Sequence, residues 1–118
     1  MKISKEFQGF FFGYICPEVK NAPQPLKYQN PFTMEWYLLD FTKVSDEGVY
    51  QMLKLINPHY PKLQSLLPAS TKVITAKHMT QHIQWVERWL GQNGHSMPHI
   101  EEEWERILQN AGITKENR

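Results

Sequence analysis

The sequence predicts a single α+β domain in which an N-terminal antiparallel β-hairpin, of two or three strands, packs on about three α-helices. Two segments of the first half, residues 7–16 and 34–43, are rich in aromatic residues, which favour strands. The second half repeats apolar residues at helical spacing and ends in a predicted helical hairpin. A chain of 118 residues has the size of one domain, so we expect residues 1–118 to fold together.

The two predicted strands differ in how clearly they are marked. Residues 7–16 combine aromatic side chains with two glycines, a pattern typical of a strand with a bulge. Residues 34–43 alternate imperfectly, so a helix beginning at Thr33 is an open alternative. Between them, residues 17–32 contain four of the eight prolines, a density that predicts a long loop.

The first predicted helix begins after Ser45, whose side chain can accept a free N–H group at the helix start. Asp46 and Glu47 follow at once, where negative charge complements the helix dipole. Pro58 ends the helix, because proline lacks the N–H group that a helix needs. The apolar stripe expected to be buried is Val49, Met52, Leu53 and Ile56.

Residues 75–111 predict two amphipathic helices joined by a glycine-containing turn. The first runs over residues 75–90 and the second begins after Ser96, with Pro98 in its first turn, a position that proline tolerates. The expected buried stripes are Ala76, Met79, Ile83, Val86 and Leu90 in the first, and Ile100, Trp104, Ile107, Leu108 and Ala111 in the second. Residues 73–74 could add a third strand, and residues 113–118 are expected to be a frayed polar tail.

Composition excludes several classes of protein. Aromatic residues make up 13% of the chain, which argues against disorder, and the net charge of +1 gives no overall attraction to nucleic acid or acidic membranes. No stretch approaches the roughly 20 apolar residues of a membrane-spanning helix, so no membrane partner is expected. The single cysteine, Cys16, forms no internal disulfide and is typical of a reducing compartment, so we expect a cytoplasmic protein.

Four of the five histidines form two pairs with three residues between the members, His78 with His82 and His95 with His99. Side chains four apart on a helix are neighbours and can bind one zinc ion. In a helical hairpin, however, His82 and His99 lie about 9 Å apart along the helix axes at 1.5 Å per residue, so we expect no four-histidine centre. A metal-dependent enzyme using His78 and His82 is kept as an alternative; otherwise no cofactor and no metal is expected.

One flank of the helix at residues 75–90 mixes indole rings with cationic groups. Tryptophan and arginine are enriched among the residues that contribute most to protein interfaces. The simpler interpretation places both indoles of this flank in the core. The candidate binding residues are Trp85, Arg88, Trp89, Lys77, His78 and His82.

Residues 48–100 contain five cationic residues and one acidic residue, Glu87. Such a stretch, combined with indole rings, can bind nucleic acid through phosphates and stacked bases. Four glutamates within residues 101–105 argue against a DNA-recognition helix at that position, because they would repel phosphates. The cationic residues are Lys54, Lys62, Lys72, Lys77 and Arg88.

No phosphate-binding loop, nucleophile motif or zinc-protease motif is present, so an enzyme is not favoured. The expected function is that of a small binding or regulatory protein, for example an inhibitor, that docks on a larger protein through the aromatic and basic surface. Self-association is a variant of this function. The alternatives are a nucleic-acid-binding module that uses the basic stretch and the metal-dependent enzyme with His78 and His82.

Overall fold

The structure, a computed structural model, describes residues 3–117 and has a mixed α+β fold. The elements in chain order are α1 (Ser4–Phe10), a π-helical segment (Phe11–Ile15), α2 (Cys16–Asn21), β1 (Leu26–Gln29), β2 (Trp36–Leu39), α3 (Asp46–Ile56), α4 (Ala76–Gln92), α5 (Ile100–Asn110) and a 3-10 turn (Lys115–Asn117). The predicted α+β class and antiparallel hairpin are confirmed. The hairpin does not open the chain, however, because helical segments precede it.

The predicted strand at residues 7–16 is wrong, because α1, the π-helical segment and α2 follow one another without a break. Buried apolar side chains in this stretch recur at every fourth residue, which is a helical spacing. These side chains are Ile3, Phe7, Phe11, Ile15 and Val19. In an α-helix a spacing of four drifts by about 40° per step. The wider π turn, closed by the bond from the Cys16 N–H to the Phe11 carbonyl, reduces this drift and keeps the stripe facing the core.

The hairpin consists of β1 and β2, which pair antiparallel with Lys27 opposite Leu38. The second predicted strand is therefore confirmed over Trp36–Leu39 only. β1 lies inside residues 17–32, predicted as a loop, and α2 also extends into that stretch. Leu26, fully buried at the base of the hairpin, gives this proline-rich stretch an anchor in the core.

The starts of α3 and α4 follow the rules of helix capping. Ser45 Oγ accepts the Gly48 N–H at 3.1 Å, and Thr75 Oγ1 accepts the His78 N–H at 3.2 Å. Each bond satisfies a donor that has no partner inside the helix. Both predicted helix starts are thus confirmed, whereas α4 continues two residues beyond its predicted end, to Gln92.

The predicted cap at Ser96 is wrong, because α5 begins at Ile100. The residue before it, His99, has a left-handed backbone with φ of 68° and makes no capping bond through its side chain. Pro98 therefore lies in the connection between the helices. α5 packs on α4, where Trp104 Nε1 donates a hydrogen bond of 2.8 Å to Thr80 Oγ1.

Two smaller predictions concern residues 73–74 and the tail. Val73 and Ile74 add no strand, since the sheet within residues 3–117 has two strands, and Val73 is exposed. In the tail predicted to fray, Ile113 is buried and its N–H donates to the Leu108 carbonyl at 2.9 Å. Arg118 lies outside the described residues.

Aromatic rings from α1, the π-helical segment and α5 meet in the core. The ring centroid of Phe7 lies 5.5 Å from that of Phe11 and 5.6 Å from that of Trp104. Such tilted and edge-to-face contacts add to the stabilisation that apolar burial provides. Within residues 3–117, no helix combines the length and the apolar character that crossing a membrane requires.

Candidate functional site

The tip of the hairpin exposes large apolar side chains. Asn30 organises the turn, because its Oδ1 accepts the N–H groups of Phe32 and Thr33 at 2.8 and 3.2 Å. This turn leaves Phe32 86% exposed, and in β2 Trp36 and Leu38 are 65% and 67% exposed. Isolated apolar side chains are ordinary on protein surfaces, but a contiguous group of them is typical of an interaction site.

The outer edge of β1 is held by α4. Asn93 Oδ1 accepts the Lys27 N–H at 2.7 Å, and Trp89 Nε1 donates to the Lys27 carbonyl at 2.8 Å. These bonds join residues more than sixty positions apart in the chain. They hold β1 against α4, so β2 is the strand that lies farther from α4.

The outer edge of β2 presents backbone groups away from β1. The Asn30 N–H donates to the Glu35 carbonyl at 2.9 Å, so this pair is a hydrogen-bonded one. Opposite pairs alternate in an antiparallel ladder, so the backbone groups of Trp36 and Leu38 point away from β1. With Trp36 and Leu38 on the outer strand, the sheet has a hydrogen-bonding edge beside exposed apolar side chains.

Between the hairpin and α4 lies a groove of about 260 Å³, which we call the hairpin groove. The indole rings of Trp85 and Trp89 stack in it, with centroids 5.6 Å apart and planes 13° from parallel. Trp89 is buried and Trp85 half-buried, so the core position predicted for both indoles applies to Trp89 alone. The groove is lined by Lys27, Tyr28, Gln29, Pro31, Trp36, Pro58, Trp85, Arg88, Trp89 and Gln92.

Two cationic residues line the hairpin groove, Lys27 and Arg88. Both side chains are exposed, and neither forms a salt bridge within residues 3–117. The groove therefore combines flat apolar surfaces with positive charge that no carboxylate of the described chain neutralises at contact distance.

The structure brings together three of the six residues proposed from the sequence as binding residues, namely Trp85, Arg88 and Trp89. Lys77 and His78 lie on α4 outside the lining of the groove, and the His78 ring bonds to the Thr75 hydroxyl at 3.2 Å. Sequence reasoning missed Lys27, Trp36 and the rest of the hairpin side, because long-range packing alone places β1 beside α4.

His82, the sixth residue, is enclosed in the core and is 1% exposed. Its Nδ1 accepts the amide N–H of Asn57 at 2.8 Å, and its ring stacks on Phe11 with centroids 5.4 Å apart. Burial, followed by the nearby charges of Lys54 and Lys62, lowers the pKa of His82 to about 3. The imidazole is therefore neutral at physiological pH and part of the aromatic core.

The basic stretch proposed from the sequence is dispersed. Lys54 is buried, and Lys62 Nζ donates to the backbone carbonyls of Asn57 and Tyr60 at 2.8 and 3.2 Å. Lys72 and Lys77 are exposed outside the hairpin groove. Of the five cationic residues, Arg88 alone lines the groove, and Lys27 joins it from outside the stretch.

His95 and His99 each pair with a different glutamate. His95 Nε2 lies 2.6 Å from a Glu18 oxygen, and His99 Nδ1 lies 3.2 Å from Glu102. Within residues 3–117, no group of three or more histidine, cysteine, aspartate or glutamate side chains is arranged to hold a metal ion. Burial, with the Asp46 charge second, raises the pKa of Cys16 to about 12, so its thiol is protonated at neutral pH.

Comparison of the chain with protein-family models gave no match, and neither did comparison with curated proteins or with solved structures. The site is therefore interpreted from its own geometry and charge.

Proposed function

We propose that the protein is a small non-catalytic binding protein that docks on a larger protein, with the hairpin and the hairpin groove as its contact surface. The observation that supports this most strongly is the exposed apolar group at Phe32, Trp36 and Leu38. Exposing such side chains contributes nothing to folding, whereas burying one against a partner is worth about 1.5–3 kcal/mol. Aromatic residues and arginine are also the residue types enriched in the centres of interfaces.

Charge indicates the chemistry of the partner. Lys27 and Arg88 are cations without a salt bridge inside the described chain, so a partner segment with carboxylates beside apolar side chains is complementary to the groove. Charge complementarity of this kind speeds association and rejects partners of the wrong sign. The partner contact in the groove is thus proposed to be an acidic and apolar segment.

The free edge of β2, on the side of the hairpin away from α4, offers a second contact for the same partner. An extended segment can add to an exposed sheet edge through main-chain hydrogen bonds, with alternate side chains in pockets of the host surface. The outward-pointing backbone groups of Trp36 and Leu38 would form these main-chain hydrogen bonds with the added strand. A second copy of this chain could use the same edge, and the oligomeric state distinguishes the two cases.

Two charge reversals on the same helix test the proposal. Arg88→Glu reverses a charge that lines the hairpin groove, whereas Lys77→Glu reverses an exposed charge outside it. Protein bound from extract of the source cells, with and without nuclease treatment, is quantified for both variants and for the parent. We expect Arg88→Glu to weaken partner binding at least tenfold, which corresponds to about 1.4 kcal/mol. Lys77→Glu should weaken partner binding less than twofold.

Other outcomes separate the alternatives. Equal loss in both variants, with binding that nuclease abolishes and that weakens steeply with salt, would favour the nucleic-acid-binding module. Binding unchanged by Arg88→Glu would remove the hairpin groove from the contact surface. A dimer of the purified parent chain that Leu38→Pro dissociates would assign the edge to self-association.

A further inference from the structure

A second pocket, which we call the Lys54 pocket, lies beside α3. It has a volume of about 420 Å³, within the range of small-molecule sites. It shares no lining residue with the hairpin groove. The lining residues are Gln8, Phe12, Glu47, Tyr50, Gln51, Lys54, Leu63, Pro68, Ser70 and Thr71.

The pocket contains a cation that is almost fully enclosed. Lys54 is 4% exposed, and its Nζ lies 5.0 Å from the ring centroid of Tyr50 and 5.4 Å from that of Tyr60. The faces of these rings stabilise the ammonium partly, but Lys54 makes no salt bridge within residues 3–117. Lysine is rarely this buried without an anionic partner, and its burial lowers its pKa.

Tyr50, which lines the same pocket, has a buried hydroxyl group that forms no hydrogen bond of normal geometry. The side chains of Gln8 and Thr71 lie beside it and bond to each other, with Gln8 Nε2 donating to Thr71 Oγ1 at 2.9 Å. A buried donor that lacks an acceptor is destabilising. An acceptor atom placed between Tyr50 and Lys54 would remove this destabilisation and pair the cation.

Glu47 restricts the charge that the pocket accepts. Glu47 lines the pocket, and its Oε1 accepts a hydrogen bond of 3.0 Å from Gln51. A polyphosphate or other polyanion would be repelled by this group, whereas a single carboxylate directed at Lys54 would be less affected. Phe12 and Leu63 supply apolar surface for the carbon part of a ligand.

We propose that the Lys54 pocket binds a small organic monocarboxylate, whose carboxylate pairs with the Lys54 ammonium and accepts the Tyr50 hydroxyl hydrogen. The carbon skeleton of the ligand lies against Phe12 and Leu63. The Lys54 pocket is separate from the hairpin groove, so the outcome of this test does not depend on the docking function.

The probes are benzoate, its neutral isostere benzamide and inorganic phosphate, each titrated into the full chain and followed by two-dimensional NMR. Benzoate is expected to give saturable shifts at Gln8, Tyr50, Lys54 and Thr71. Benzamide, which lacks the charge, is expected to bind at least tenfold more weakly. Absence of saturable shifts with benzoate, or tighter binding of phosphate than of benzoate, would overturn the proposal.

Two variants assign the effect to the pocket. Tyr50→Phe removes the unbonded hydroxyl and keeps the ring beneath Lys54, so the fold is retained and benzoate affinity should fall about threefold to tenfold. Lys54→Met should abolish benzoate binding, and Tyr50→Phe carries the test on its own if Lys54→Met does not fold. Unchanged benzoate affinity in Tyr50→Phe would show that the pocket is not the site.

Discussion

The N-terminal helix and the hairpin contain similar aromatic residues but place them in opposite environments. Phe7 and Phe11 are fully buried, whereas Phe32 and Trp36 are largely exposed. Phe7 and Phe11 lie four positions apart on the helix face that meets the core, whereas Phe32 and Trp36 project from a hairpin that extends beyond the core. Composition alone therefore decides neither the element nor the burial of an aromatic residue, and the exposed set is available for binding.

The largest expected effect comes from replacing one phenylalanine by alanine in each region and comparing the two variants. Phe7→Ala removes a fully buried ring from the contact with Phe11 and Trp104 and is expected to lower the free energy of unfolding by about 3–5 kcal/mol. Phe32→Ala, at an 86% exposed position, is expected to change it by less than about 0.5 kcal/mol. Urea denaturation measures both values, and similar losses in the two variants would mean that the hairpin tip is packed.

The second prediction concerns acid stability and His82. Its pKa in the folded protein is lowered to about 3, below the ordinary value of about 6.5 in the unfolded chain. Between these values the unfolded state binds more protons, so stability falls as the pH decreases from about 6.5, with a slope of at most about 1.4 kcal/mol per pH unit.

Urea denaturation at a series of pH values measures this slope. His82→Gln should flatten it, whatever the change in stability at neutral pH. His78→Gln, one turn earlier on α4 and outside the core, is the matched control. If His82→Gln keeps the parent slope, the imidazole is protonated in the folded protein and is not enclosed as described.

The third prediction separates binding from folding at the hairpin. Trp36→Ala is expected to weaken partner binding at least tenfold, about 1.4 kcal/mol, because its indole lines the hairpin groove. Stability should change by less than about 0.5 kcal/mol, since the side chain is 65% exposed. Leu55→Ala, on an exposed apolar residue of α3 outside the groove, is the control and should leave binding unchanged.

The smallest expected effect is at a helix start. Ser45→Ala removes the bond to the Gly48 N–H and should lower stability by about 1 kcal/mol, with partner binding retained. The same substitution at Ser96, predicted from the sequence to be a cap but placed before Pro98 and outside α5, should have an effect near zero. A comparable loss of stability in the Ser96→Ala variant would mean that Ser96 caps α5, as the sequence predicts.

Local signals made part of this fold predictable. The starts of α3 and α4 follow from Ser45 and Thr75, because a cap acts on N–H groups within three residues of it. At the N-terminus two signals conflict, because the aromatic content favours a strand and the spacing of four residues between Phe7, Phe11 and Ile15 favours a helix. The spacing was visible in the sequence and is the stronger signal for a helix.

The candidate site was less predictable, because its two sides come from distant parts of the chain. Trp85, Arg88 and Trp89 could be grouped from helical spacing, but nothing local indicates that Lys27 bonds to Asn93 and Trp89. His82 was grouped with them by the same spacing, and its burial depends on Asn57 and Phe11, which neighbouring elements supply. Helical spacing shows on which face of the helix a side chain lies, but not which other element packs over that face.

Site-specific photo-crosslinking in the source cells tests the proposed docking surface most directly. The photoreactive residue p-benzoylphenylalanine is placed at Leu38, on the free edge of β2, and at Gln109, an exposed position of α5 outside the hairpin groove. We expect a discrete protein adduct from position 38 and none from position 109. No adduct from position 38, or the same adduct from both positions, would show that the hairpin is not where this protein meets its partner.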